Sequence, residues 1–169
     1  MRSQISKPAV SDIKEGELSL SRQVLVELIQ AVFAKGALFR FRAKGSSMHP
    51  FIRNGDLVTI SPLSDTSLRI GDVVAFIRPG RGNLVIHRVV RKIGDSLSIK
   101  GDNGSPGDGE IVPRAKILGR VTRVERNGKE VLLGFGSERL LIAFLNRNAL
   151  LAKFLPCFVR FFRPIFRRK

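Results

Sequence analysis

A chain of 169 residues, 43% of them hydrophobic, is long enough for one buried core with short appendages. Its single cysteine, Cys157, excludes an intramolecular disulfide and fits a reducing compartment, and its formal charge of +16 favours anionic partners, phospholipid or nucleic acid, over cationic ones. No apolar run reaches the roughly 18 residues that cross a bilayer. The first twenty residues include Lys14, Glu15 and Glu17 and lack the apolar stretch of a secretory signal.

Residues 1–18 are polar and mixed in charge, which predicts a loose N-terminal segment. Ser19 or Ser21 is placed to cap a helix ending near Lys35, with Gly36 as its stop, so 19–36 is read as one helix. Leu25, Leu28, Ile29 and Val32 recur at helical spacing, with Gln23, Glu27 and Gln30 opposite. The helix is amphipathic and not a membrane span. From residue 37 the period changes to two. Strands are expected at 37–43, 56–61, 72–78, 83–93, 96–100, 116–126 and 129–133. Turn signals separate them, such as Asn54-Gly55-Asp56, Ile70-Gly71-Asp72, Gly94-Asp95 and Asn127-Gly128. Residues 37–135 therefore read as a mainly β domain whose short strands form a coiled or barrel-like sheet. No internal repeat stands out.

After Phe135 the pattern is helical again, and 136–169 reads as a basic amphipathic tail. Ser137 is expected to cap a helix to about Asn146, and Asn148 a second one. In the second, Phe154, Phe158, Phe161 and Phe162 share a face, with Arg160 and Arg163 opposite, and Pro156 and Pro164 interrupt it. Residues 139–169 hold eight of the 30 Lys and Arg residues and no acid. Such a segment suits an anionic membrane surface, with Phe154, Phe158, Arg160, Phe161, Phe162 and Arg163 as contacts. The bland reading is a helix folded back on the β domain with its charges solvated. Nucleic acid is the third reading, since no base-reading motif accompanies the charge.

Three residues carry the chemistry. Ser47 lies in Gly45-Ser46-Ser47-Met48-His49-Pro50, His87 forty residues on in Val85-Ile86-His87-Arg88-Val89, and Asp102 in Lys100-Gly101-Asp102-Asn103. A serine hydroxyl becomes nucleophilic once a base takes its proton, and an acid holds that base in the right tautomer. Each residue has a plain structural alternative: a turn serine, a core histidine on the Val85–Val89 face, an aspartate closing a turn. Asp108 is a second candidate for the acid, or a brace for its loop. Lys44 and Lys100 lack the apolar setting that would lower a lysine pKa enough for a base, and both read as solvated. His49 is expected to point away from Ser47. The residues present imply no metal or cofactor.

Taken in order, the Gly45–Pro50 string, Asn54-Gly55-Asp56-Leu57-Val58, Ile70-Gly71-Asp72-Val73-Val74, His87-Arg88-Val89-Val90 and Lys100-Gly101-Asp102-Asn103 resemble the type I signal peptidase and LexA-like serine peptidase superfamily over about residues 37–126. Histidine at position 87 resembles the archaeal, endoplasmic-reticulum and sporulation-type branch, where other members have lysine. The resemblance implies Ser47 as nucleophile, His87 as base, and Asp102 and Asp108 at the two acidic positions. With Gly45 where some bacterial members have serine, the backbone N–H of Ser47 is left to serve an oxyanion hole. It further implies a serine endopeptidase acting on an extended signal- or leader-like peptide; the basic tail, with no signal peptide or span in view, adds the expectation of a peripheral place on the cytoplasmic face of a membrane. The alternatives are a LexA-like self-cleaving regulator, cut between Ala9 and Gly16, and a non-catalytic membrane-associated peptide-binding module. Three departures stand out. No span precedes the nucleophile, residues 1–36 hold one helix rather than a helix-turn-helix, and Asn103-Gly104 replaces Asn-Asn.

Overall fold

β-Branched and aromatic residues at period two form eight antiparallel strands in a computed structural model, which describes residues 22–63, 68–78, 83–105, 107–148, 150–151 and 153–154. The order along the chain is α1 (Arg22–Ala34), β1 (Phe39–Arg42), β2 (Leu57–Ser61), β3 (Val73–Ile77), β4 (Leu84–Ile93), β5 (Ser96–Lys100), β6 (Glu110–Pro113), β7 (Ile117–Arg126), β8 (Lys129–Glu130) and α2 (Arg139–Arg147). The strands lie side by side as β1-β2-β7-β3-β4-β5-β6, with β8 paired to β7, and curl into a half-barrel. All seven expected strands form, with trimmed ends. The eighth, β6, was not anticipated. Its four residues run Glu-Ile-Val-Pro, and Ile111 is exposed, so no alternation announces it.

β3 shows why a continuous apolar run was needed. Val73 and Ala75 enter one core with Ile29 of α1, Met48, Ile52, Val58 and Val124. Val74 and Phe76 enter a second with Val85, Val89, Ile99 and Val112. A strand covered on both faces cannot alternate.

One turn recurs, although the sequence shows no long repeat. Gly55, Gly71 and Gly107 have φ of +87°, +93° and +93°, a region glycine enters without strain. The aspartate after each glycine accepts, on Oδ2, the backbone N–H three residues earlier: Arg53 to Asp56 at 2.8 Å, Arg69 to Asp72 at 2.9 Å, Ser105 to Asp108 at 2.5 Å. The first two turns launch β2 and β3. Asp56 is further held by Arg126, and Asp72 lies 3.5 Å from Arg139.

The C-terminal helix ends where expected, but its start is held differently. Its N-terminus is held by Glu138, whose Oε1 accepts the N–H groups of Gly134 and Gly136, and not by Ser137. Asn148 closes α2 by donating to Phe144 O at 2.8 Å, and the expected second helix follows it, with Leu151, Lys153 and Phe154 helical and Phe154 N–H donating to Leu150 O at 3.1 Å. Ser19, Ser21 and the tail from residue 155 lie outside the described residues. Among the described residues, no helix is long and apolar enough to cross a membrane.

Candidate active site

Ser47 sits at the start of a turn between β1 and β2 that is anchored on both sides. Gly45 turns the chain at φ +88°, and its N–H donates to Asn54 Oδ1 at 3.1 Å. Met48 is buried in the first core, and its carbonyl accepts the N–H groups of Phe51 and Ile52. The serine carbonyl accepts the Asn103 N–H at 2.8 Å, which ties the turn to the loop after β5. The Ser47 side chain is left exposed. Its own N–H makes no hydrogen bond among the described residues. His49 is exposed beside a cis His49–Pro50 peptide.

His87 projects from β4 on the same face as Val85 and Val89, as alternation predicted, with its ring edge-on to Phe76 at 6.1 Å. It faces Ser47 across Gly101, with no hydrogen bond between the two side chains. A Cβ at position 101 would lie 3.1 Å from His87 Nε2, 3.3 Å from Ser47 Cβ and 2.7 Å from Ser47 O. Only glycine leaves that space open, so serine and imidazole converge on one point from two elements. Two clefts meet there and both are lined by Ser47, His87 and Arg78. One, of about 630 Å³, continues past Asp108, Glu110 and Ile111. The other, of about 340 Å³, is an apolar groove over Leu25, Phe41, Met48, Ile52 and Leu84.

The opposite ring nitrogen, Nδ1, is buried and has no hydrogen-bond partner among the described residues. The carboxylate nearest to it is Glu110, with Oε1 at 3.7 Å. Glu110 is meanwhile gripped by Arg78 through contacts of 2.6 to 3.0 Å. Burial pushes the His87 pKa below its ordinary value, and Arg78 pushes the same way; Glu110, Asp102 and Asp108 oppose them. The ring is therefore neutral near pH 7 and able to accept a proton.

Asp102 does not hold His87. Its two oxygens accept Arg88 Nε at 2.8 Å and Arg88 Nη2 at 2.7 Å, and Asn146 Nδ2 adds a contact of 3.2 Å to Oδ1. Strand alternation explains the difference, because Arg88 points away from the cleft and takes the aspartate with it. Arg88 also donates to Gly71 O and Gly134 O, both at 2.8 Å, and lies 5.5 Å from the Phe51 ring centroid. Asp108 is exposed, lines the larger cleft and closes the third glycine–aspartate turn. Lys44 is exposed, as expected. Lys100 is not solvated: it is buried and donates to Asn146 O at 3.1 Å. Of the expected membrane contacts, Phe154 is exposed, while Phe158, Arg160, Phe161, Phe162 and Arg163 lie outside the described residues.

The comparisons with known proteins agree with this geometry. The family described as Peptidase S24-like matches residues 5–122, a stretch that includes Ser47, His87, Asp102, Asp108 and Glu110. The chain belongs to the Peptidase S24-like family. Within the wider signal-peptidase superfamily it is also similar to the signal peptidase complex catalytic subunit SEC11 of Chaetomium globosum, at 32% identity over 77 residues. That alignment covers 41% of this chain, and the chain spans less than half of that relative, 44% of its length. The histidine-branch resemblance of the sequence motifs is thereby supported. The family match ends before α2, so Asn146 reaches the Gly101–Asp102 segment from beyond the matched region.

Arg78, Gly101, Glu110 and Asn146 were not singled out as site residues from sequence. Glu110 lies on the unanticipated strand, two residues past Asp108. Asn146 had only its place on a helix face as a signal.

Proposed function

We propose that this peptidase-family chain is a serine endopeptidase using Ser47 and His87. His87 Nε2 takes the proton of Ser47 Oγ as the oxygen attacks a peptide carbonyl. The Ser47 N–H is aimed at the developing oxyanion. His87 then passes its proton to the leaving amine, and the C–N bond breaks to give an acyl-serine. Water, deprotonated by the same imidazole, releases the acid and restores Ser47. Glu110 is the carboxylate that favours the imidazolium. Asp102, through Arg88, holds the loop beneath the pair, and Asp108 braces the cleft wall. The observation that carries this reading is the convergence of an exposed serine and a buried, neutral imidazole on the space kept open by Gly101.

The two clefts meeting at Ser47 support an extended peptide as substrate, with apolar side chains in the groove over Met48 and Ile52. The likeness to a signal peptidase subunit favours a signal- or leader-like peptide cut in trans over self-cleavage. The basic tail, with exposed Phe154 at its start, supports a peripheral place on an anionic membrane surface, on the cytoplasmic face. The test is cleavage of signal-like peptides by the purified protein. Wild type should cut them and Ser47→Ala should not; equal rates in the two would end the enzyme reading. For the tail, replacing Phe158, Phe161 and Phe162 with Glu in the full chain should reduce co-sedimentation with phosphatidylglycerol vesicles, and unchanged co-sedimentation would remove the tail as an anchor.

A further inference from the structure

A nine-residue helix on a protein surface normally turns mostly polar residues to water, and α2 turns mostly apolar ones. Its sequence is Arg-Leu-Leu-Ile-Ala-Phe-Leu-Asn-Arg. Ile142, Ala143 and Asn146, at 0%, 0% and 2% exposure, face inward. Leu140, Leu141 and Phe144, at positions i, i+1 and i+4, form the outward side at 55%, 46% and 54% exposure. Three large apolar residues clustered on the solvent face of one helix mark a contact surface rather than chance exposure. Beyond the end of α2, Phe154 is 51% exposed.

We propose that the outward face of α2 is itself a docking surface for an anionic lipid bilayer, with Leu140, Leu141 and Phe144 entering the acyl boundary. The inference builds on the membrane placement proposed above and assigns it to residues the tail reading did not include. Charge selects the occupant. From Arg139 to the C-terminus there are eight basic residues and no acidic one. A second copy of the same face would bring like charge against like charge, which disfavours self-association. An anionic bilayer satisfies both the charge and the apolar face. The guanidinium of Arg147 lies over the Phe144 ring, 5.8 Å from its centroid, so a cation sits against the apolar face where an anionic headgroup can pair with it. Nucleic acid would meet the charge but leave the three apolar side chains without a partner.

The inward face gives the docking a consequence. Asn146 Nδ2 donates to Gly101 O and to Asp102 Oδ1, and its carbonyl accepts Lys100 Nζ. Three consecutive residues below Ser47 and His87 are thus fixed to the helix that meets lipid. The cleft is held at a set height and tilt above the bilayer, and substrates are those whose cut site emerges at the membrane surface.

The chain has no tryptophan or tyrosine, so a single tryptophan is a clean reporter. In full-length Leu141→Trp, phosphatidylglycerol vesicles should shift emission to the blue, and brominated acyl chains should quench most of it; phosphatidylcholine vesicles should do neither. In the full chain, Leu140→Glu with Phe144→Glu should lower vesicle association on the order of ten-fold or more. Cleavage of a soluble peptide should be unchanged, which shows the variant folded. If Trp at 141 stays unquenched while a Phe158→Trp reporter is quenched, the tail alone meets lipid; the inference fails and the tail reading stands. If neither is quenched and the protein does not co-sediment, both fail. A blue shift that grows with protein concentration without lipid would make the occupant a second copy and overturn the proposal, as would vesicle-insensitive emission with retardation by RNA.

Discussion

His87 and Arg88 are neighbours on β4, both buried, and their surroundings differ in every polar contact. Arg88 makes four hydrogen bonds, to Asp102, Gly71 and Gly134, away from the cleft. His87 has one buried nitrogen without a partner and the other beside an exposed serine. A fully satisfied buried charge fixes geometry, whereas an unsatisfied polar atom in a native core calls for a functional explanation. Asp102, expected to hold His87, is bound to Arg88 instead. Asp102 belongs to the scaffold, and the carboxylate beside the imidazole is Glu110.

The scaffold side should respond in stability. Arg88→Ala strands the Asp102 carboxylate in the core, and removing one partner of such a pair costs about 3–5 kcal/mol. Thermal or urea unfolding would show it, and a loss below about 1 kcal/mol would mean the pair is not the clamp described. On the cleft side, Gly101→Ala places a methyl 2.7 Å from a backbone oxygen and 3.1 Å from the His87 ring. Peptide cleavage should fall on the order of a hundred-fold, the lower range of a lost general base, with the fold retained by circular dichroism. Asn146→Ala leaves Gly101 O and Asp102 short of donors and should cost about 1–3 kcal/mol. It tests whether α2 matters to a loop that the family match does not require it to hold.

The smallest effects sharpen the assignment of Glu110. Because burial and Arg78 lower the His87 pKa, the acid limb of kcat/KM should fall below the ordinary histidine value of about 6.5. An anion favours the imidazolium, so Glu110→Gln removes a raising influence and should move the limb to lower pH. Arg78→Gln removes a lowering one and should move it to higher pH. Shifts in the same direction in the two variants would contradict the arrangement.

Most of the half-barrel was readable because its strands, though mostly short, are rich in β-branched residues and punctuated by Gly-Asp turns. Ser47 and His87 were readable because turn chemistry and strand alternation constrain where each side chain points. Asp102 misled because order along the chain does not say which face of β4 a loop residue will meet; Arg88 competed for it and, as a buried permanent charge, held it. Glu110 was hidden because β6 carries only Ile111 and Val112 between a turn and Pro113, too short a pattern to mark a strand. Lys100 read as solvated because its partner, the Asn146 carbonyl, lies 46 residues away on a helix whose packing no local pattern reveals.

The most direct test is covalent. Wild-type protein incubated with a fluorophosphonate at neutral pH should carry the adduct on Ser47, located by peptide mass spectrometry, and His87→Ala should label on the order of 10²-fold or more slowly. Labelling elsewhere in the chain, or equal rates with and without the imidazole, would contradict the account.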